Sequence, residues 1–208
     1  MRWLFILFVL VFPVCTGALD LQQNYFDLSV AAGVTLPGVI KAAWYEDFDP
    51  DHTVAFATQV SPLARVSLTW WPFPKVAWVA PTFSLHYAAL LLPAPIRIGY
   101  WDGREHVIPD NGIHFVEFEA GVRGRAFLSD SLTVDPAFLV GYCQTYSTSL
   151  DARNRGLILN AVADLRWWRA GWQPIATVGL MMQAYGGVTG IVYIRSYPVA
   201  YAAVGVGF

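Results

Sequence analysis

The amino-acid sequence predicts an all-β protein: a closed, antiparallel, up-and-down transmembrane β-barrel of about eight strands, preceded by a signal peptide. Three observations lead to this prediction. The chain is very hydrophobic and carries little charge, it has no apolar stretch long enough for a spanning helix after its leader, and its segments alternate polar with apolar residues. Together these features favour membrane-crossing strands over helices or a water-soluble sandwich.

The composition limits the classes of protein to which this chain can belong. Of 208 residues, 56% are hydrophobic and 13% are charged, and the mean hydropathy is +0.44. Soluble domains carry about 25% charged residues, so this chain would have difficulty covering a surface in water. The length corresponds to about one domain. The net charge of -2 provides no basic face, and the sequence therefore predicts no nucleic-acid partner.

Residues 1–18 have the pattern of a cleavable secretory signal peptide. Arg2 supplies a positive charge, an apolar run extends to Val14, and Ala18 ends a run of small residues suited to cleavage. An uncleaved anchor is the alternative, but the apolar run is shorter than the roughly 20 residues of a spanning helix. The barrel is accordingly assigned to residues 19–208.

The two cysteines limit how the leader can be processed and whether a disulfide can form. Lipidation at Cys15 is the other alternative for the leader, but small residues do not precede it. Cleavage would remove Cys15 and leave Cys143 alone, so the mature chain could form no intrachain disulfide.

After residue 18 no run of 18 apolar residues occurs, which excludes helical spans and leaves strands to carry the hydrophobic residues.

Period-two alternation and intervening turns mark the strands in order. In residues 54–71 the polar face carries Arg65, in 113–128 it carries Glu117, and in 132–146 it carries Asp135. The full set of predicted strands is 24–36, 54–71, 76–88, 113–128, 132–146, 157–168, 172–185 and 190–208. Eight is an even number, as single-chain bacterial barrels require.

The connections between these segments also alternate in length. The turns at 72–75, 129–131 and 169–171 are short, whereas loops such as 37–52 and 89–112 are long. Short periplasmic turns and longer external loops produce this alternation. Ten strands would result instead if a turn formed at Ser61 and Pro62 and residues 96–101 formed a strand of their own.

Aromatic residues cluster at the ends of the predicted strands, where a membrane barrel has its interfacial girdles. The residues predicted to lie at the membrane interface are Trp70, Trp71, Trp78, Trp167, Trp168 and Trp172. Soluble domains rarely place tryptophans beside exposed turns.

The end of the chain resembles the last strand of a known class of membrane proteins. Residues 200–208 alternate and terminate in Phe208, and in this the chain resembles bacterial outer-membrane β-barrel proteins, whose last strand commonly ends in an aromatic residue recognised by the barrel-assembly machinery. Val206 and Phe208 match that pattern, whereas Ala202 and Ala203 stand where a polar residue and a glycine are usual. The resemblance implies location in the bacterial outer membrane, contact with outer-membrane lipid, and the assembly machinery as a partner during biogenesis. It specifies a location and not a named family.

An eight-stranded barrel is just wide enough to be filled by side chains, so the inward charges predict a network in the lumen. Its predicted members are Asp27, Arg65, Glu117, Glu119, Arg123, Arg125, Asp164, Arg166 and Arg195. Four acids and five arginines are close to balance, which favours paired charges that plug the barrel. The alternative function for the same residues is a narrow pore for ions or small solutes.

The resulting hypothesis is a non-enzymatic barrel with a structural or surface-interaction role. A lipid-modifying enzyme is a third hypothesis, in which Ser84 and His86, two apart on one strand, would act as nucleophile and base. No catalytic motif or orienting acid accompanies them. His106 and His114 are expected near the external rim.

The acidic segment from Asp47 to Asp51 has the alternating acids of a calcium loop. However, His52 and Thr58 stand where such a loop needs a glycine and an acid. Phosphate loops, zinc spacings and dinucleotide motifs do not occur, so no metal and no cofactor are predicted.

Overall fold

The computed structural model describes residues 26–44, 54–72, 79–92, 96–99, 105–108, 112–146, 153–169, 172–189, 192–196 and 198–208. The strands are β1 (Phe26–Thr35), β2 (Val39–Trp44), β3 (Val54–Ala57), β4 (Ser61–Trp70), β5 (Val79–Leu91), β6 (Ile96–Gly99), β7 (Glu105–Ile108), β8 (Gly112–Gly124), β9 (Ala126–Ser129), β10 (Leu132–Tyr146), β11 (Arg153–Trp167), β12 (Gln173–Thr189), β13 (Val192–Ser196) and β14 (Val199–Gly207). Among these residues no helix has the length and hydropathy to cross a membrane.

The main sheet closes on itself as an antiparallel barrel. Its strands follow the order β11-β12-β14-β1-β4-β5-β8-β10, and β10 pairs with β11 to complete the circle. The first and last strands meet at Leu28 and Phe208, where the Phe208 amide donates to the Leu28 carbonyl at 2.9 Å and the Leu28 amide donates in return at 3.3 Å. Closure matters because each unpaired backbone amide in lipid would cost several kcal/mol.

Eight strands form the barrel, and the ten-stranded alternative is wrong. Ser61 and Pro62 do not form a turn, because they lie in β4 opposite Thr35 and Val34 of β1. Ile96–Gly99 pairs with β7 in a separate two-stranded sheet and does not enter the barrel. β2, β3 and β13 form a third sheet whose order, β13-β2-β3, repeats the order of β14, β1 and β4.

Two strands, β11 and β12, are longer than the sequence predicts. β11 begins at Arg153 and β12 ends at Thr189, and these two residues are paired. The added residues are largely polar residues and glycines, so alternation of hydropathy gives no sign of them, and backbone pairing alone sets their length. Residues 113–128 form two strands, because β8 ends at Gly124 and β9 begins at Ala126.

Outside its apolar layer at one end, the barrel has a polar inward face and an apolar outward face, which is the reverse of a soluble fold. In β4, Arg65, Ser67 and Thr69 are buried, whereas the intervening Val66 and Leu68 are exposed. A strand surrounded by lipid produces this arrangement, because alternate side chains point to opposite faces.

The interior divides into two layers along the barrel axis. The C-terminal ends of β4, β9, β11 and β14 lie at one end of the barrel, which we call the short-turn end. The opposite end is the long-loop end. Buried apolar side chains form a layer towards the long-loop end, including Leu63, Leu90, Leu92, Ile113, Phe115, Ile158, Met181 and Val199. Buried charges occupy the middle and the short-turn end.

Candidate functional site

The strand β8 displays the layers of the lumen in order. Every second residue of a strand points inward, and along β8 these residues are first apolar, then acidic, then basic. Glu117 and Glu119 follow the apolar layer, and Arg123 comes next. Arg125, between β8 and β9, is also buried and lies at the short-turn end. The lumen is the candidate functional site because the buried charged residues of the described part of the chain are gathered there.

A ring of four charges lies at the short-turn end. Arg125 Nη2 lies 2.7 Å from Asp135 Oδ2 and 2.9 Å from Asp27 Oδ2. Arg166 Nη1 lies 2.6 Å from Asp27 Oδ1, and Arg166 Nε lies 3.4 Å from Asp135 Oδ2. Each acid therefore contacts both arginines, and each buried charge has partners of the opposite sign, as burial requires.

Two tryptophans cover this ring. The Arg125 guanidinium lies 4.3 Å from the centre of the Trp71 ring and 4.6 Å from the Trp168 ring. The Trp168 indole also donates a hydrogen bond to Thr133 Oγ1 at 3.1 Å. Cation–π contacts of this kind are strongest where water is excluded.

The prediction that Trp71 lies at the membrane interface is therefore wrong. Trp71 is 0% exposed and points into the lumen, because it continues the inward face of β4 beyond Thr69. Trp168 also contacts the lumen arginines and is half-buried. Trp70, Trp167 and Trp172 are exposed on the outer face, where their interfacial role stays a prediction. Trp78 lies outside the described residues.

Asp164 is the central acid of the lumen. Arg65 donates to both of its carboxylate oxygens, each at 3.1 Å, and Arg123 forms a second ion pair with Oδ2. Thr177 Oγ1 donates to Oδ1 at 2.6 Å. The bidentate pairing with Arg65 is the geometry in which a guanidinium binds a carboxylate most strongly.

A third group lies between Asp164 and the apolar layer. His86 Nδ1 lies 2.8 Å from Glu117 Oε2. Asn160 donates to Glu119 at 3.0 and 3.2 Å, and Tyr201 donates to Asn160 Oδ1 at 3.0 Å. These residues come from β5, β8, β11 and β14.

The structure brings together eight of the nine residues assigned to the lumen network; the side chain of Arg195, in β13, is outside the described part. The predicted charge list omits Asp135, although alternation in residues 132–146 places it on the inward face. The list also omits His86, which is buried on the inward face of β5. With Asp135 included, the described lumen holds five acids and four arginines, so the sign of the imbalance differs from that of the sequence list.

Ser84 and His86 both point into the lumen and not towards lipid. Ser84 Oγ lies 3.1 Å from Ser67 Oγ and donates to the Val66 carbonyl at 3.3 Å, while His86 faces Glu117. Neither side chain therefore faces the lipid, as the nucleophile and base of a lipid-directed enzyme would have to do. His114 is half-buried beside Tyr87, with its Nδ1 2.7 Å from the Tyr87 hydroxyl.

Comparison with known proteins gives the fold. No protein-family model matches the chain, and no curated protein matches its sequence. Its structure is similar to the outer-membrane protein OprG from Pseudomonas aeruginosa, with a TM-score of 0.60 and 9% identity over 88% of this chain and 93% of that chain. It is also similar to Neisserial surface protein A, with a TM-score of 0.50 and 10% identity over 88% of this chain and 96% of that one. The chain thus has the fold of small outer-membrane β-barrels.

Proposed function

We propose that this chain is a bacterial outer-membrane protein whose barrel is closed by its own side chains and whose role is structural or one of surface interaction. In this proposal residues 1–18 direct export and are removed, and no chemical reaction is catalysed. A pore and an enzyme are the other functions that an outer-membrane barrel of this size could serve.

The ion pair between Arg65 and Asp164 carries the proposal. Arg65 is on β4 and Asp164 is on β11, and these strands are four positions apart in a circle of eight. The two side chains therefore meet across the full width of the lumen. Asp27 on β1 and Arg166 on β11, three positions apart, form a second bridge nearer the short-turn end. Such bridges fill the cross-section through which a solute would have to pass.

The apolar layer adds a second barrier above these ion pairs. Leu63, Leu90, Ile113 and Ile158 are almost fully buried inside the barrel towards the long-loop end. A hydrophobic constriction excludes water and hydrated ions even where a narrow gap exists. Two barriers of different chemistry in series support a closed barrel more strongly than either alone.

The strands at the long-loop end support a role at the surface. β2, β3 and β13 continue the chain beyond β1, β4 and β14 as a separate three-stranded sheet, and β6 pairs with β7 within the connection from β5 to β8. External loops of barrels lie at this end. One structural neighbour is named a surface protein, which agrees with the proposal.

Electrical recording tests the closed lumen. The protein is refolded in detergent, its folding is confirmed by heat-modifiable gel migration, and the same sample is inserted into planar bilayers. We expect no steady unitary currents, while co-sedimentation with liposomes shows that the protein has inserted. Steady unitary currents from the inserted protein would refute the closed lumen and support a pore.

A matched pair of variants connects the result to the ion pair. R65A/D164A removes the bridge across the lumen, and Asp130→Asn changes an exposed acid in the turn between β9 and β10. We expect both to remain non-conducting, because the apolar layer is intact in each, but only R65A/D164A to lose stability. Currents from R65A/D164A would show that the ion pair alone closes the barrel, against the two-barrier argument.

A further inference from the structure

Three buried side chains with metal-binding atoms meet below the apolar layer. His86 on β5 lies directly opposite Glu117 on β8, and Glu119 is the next inward residue of β8. The three side chains are 0–4% exposed. A ring nitrogen of His86 and one carboxylate oxygen from each glutamate all lie within 4.8 Å of one another.

The hydrogen bonds of this cluster are incomplete. Both ring nitrogens of His86 and the Oε2 atom of Glu117 have no hydrogen-bond partner among the described residues. The distance of 2.8 Å between His86 Nδ1 and Glu117 Oε2 is short enough for a hydrogen bond, but the pair does not have the required alignment. A buried polar atom without a partner costs about 1–3 kcal/mol, so a further group bound by these atoms would stabilise the barrel.

The charges of the surroundings indicate that this group is a cation. The ion pairs of the described arginines go to aspartates: Arg65 and Arg123 bind Asp164, while Arg125 and Arg166 bind Asp27 and Asp135. Within the described part of the chain, neither glutamate forms an ion pair with an arginine. Arg65 lies opposite His86 in the register, but its guanidinium is held by both oxygens of Asp164. Two adjacent buried carboxylates are thus left without an arginine partner, and a divalent cation bound between them would allow both to be ionised.

A second layer of residues holds Glu119 in position. Asn160 donates to both carboxylate oxygens of Glu119, and the Tyr201 hydroxyl donates to the Asn160 side chain. The Tyr201 ring also lies beside His86, with 5.2 Å between the ring centroids. Metal ligands in proteins are commonly oriented by hydrogen-bonded neighbours of this kind.

We propose that His86, Glu117 and Glu119 bind one divalent transition-metal ion inside the barrel, for which Zn²⁺ is the best match. An imidazole together with carboxylates favours zinc and its neighbours over magnesium or calcium. Zinc holds such ligands at about 2.0–2.2 Å, so the three side chains must draw together by about an ångström. The metal would join β5 and β8 between the ion pairs and the apolar layer, which is a structural function beyond the one proposed above.

Metal counting after refolding tests the site. Because the ligands are buried, Zn²⁺ is supplied as the chloride during refolding, unbound metal is then removed with a chelator, and bound zinc is measured by mass spectrometry. Heat-modifiable migration confirms that each sample is folded. We expect about one zinc ion per folded chain. Refolding with Co²⁺ should give the visible absorption of a tetrahedral nitrogen and oxygen site.

Four variants distinguish the site from its neighbours. His86→Gln and Glu119→Gln should lower bound zinc at least about tenfold, whereas His114→Gln, which alters a histidine near the rim, should leave it unchanged. Cys143→Ala removes the thiol opposite Glu117 in the register and should also retain the metal. Wild-type protein without zinc would overturn the proposal. Equal zinc in His86→Gln and wild type, or loss of zinc only in Cys143→Ala, would overturn it as well.

Discussion

The replacement Asp164→Asn is the most direct test of the lumen network. It keeps the size of the side chain but removes a charge that two arginines share. Arg65 and Arg123 are 3% and 0% exposed, so solvent cannot screen the charges that remain. The variant therefore leaves two buried guanidinium groups without their common carboxylate.

The expected loss of stability follows from this geometry. Removing one partner from a buried ion pair typically destabilises a protein by about 3–5 kcal/mol. The asparagine carbonyl can still accept one hydrogen bond from Arg65, so we expect the lower end of this range, about 3 kcal/mol. In urea this corresponds to a fall in the unfolding midpoint of about 1.5 M for a slope near 2 kcal/mol per molar.

Equilibrium unfolding in detergent micelles measures this effect, with tryptophan fluorescence and heat-modifiable migration as two probes. Asp130→Asn is the matched control, because it makes the same chemical change at an exposed turn residue and should alter stability by less than about 0.5 kcal/mol. Adding Arg65→Met to Asp164→Asn should recover part of the loss, since it removes one uncompensated charge. If Asp164→Asn behaved like Asp130→Asn, the argument for a tightly paired, water-excluded lumen would be wrong.

Two further changes test the packing and the end of the chain. At Gly179 a Cβ atom would lie 2.2 Å from Cζ of Tyr201, so Gly179→Ala should displace the Tyr201 ring and break its hydrogen bond to Asn160. The free energy of unfolding should fall by about 1–3 kcal/mol. An unchanged urea midpoint would contradict this. The Phe208 side chain is exposed and only its backbone pairs with Leu28, so Phe208→Ala should change the urea midpoint little. Because Phe208 belongs to the predicted assembly signal, the same change should reduce the amount of protein in the outer membrane severalfold. Equal amounts of variant and wild type in the membrane would count against the predicted assembly signal.

The strand pattern could be predicted because lipid imposes it. In β11, exposed or half-buried Leu157, Leu159 and Trp167 alternate with buried Asn160 and Asp164, as the sequence indicates. The break near Arg125 could not be predicted in this way. Arg123 and Arg125 continue the spacing of two residues past the end of β8, so the alternation shows no irregularity there. The pairing of β9 with β10 nevertheless shifts its register between Leu132 and Thr133.

The pair Trp70 and Trp71 shows how two signals in one segment can disagree. Clustering of tryptophans at a strand end predicts an interfacial position for both. Alternation along β4 places Thr69 inward, Trp70 outward and Trp71 inward, and the structure follows alternation. The local backbone geometry is the stronger constraint, because the direction of a side chain is set by the strand before any lipid contact is made.

Which charges become partners depends on the closed barrel and not on local sequence. Arg65 and Asp164 are 99 residues apart and meet only because their strands lie on opposite sides of a circle of eight. The sequence could therefore identify most members of the network, although the predicted list omits Asp135, but not its pairs. Once the pairs are known, the four arginines bind the three aspartates, and the acids of the described lumen without an arginine partner are Glu117 and Glu119. The excess of acids in the described lumen thus has a definite place, next to His86, and this is where a cation would stabilise the closed barrel.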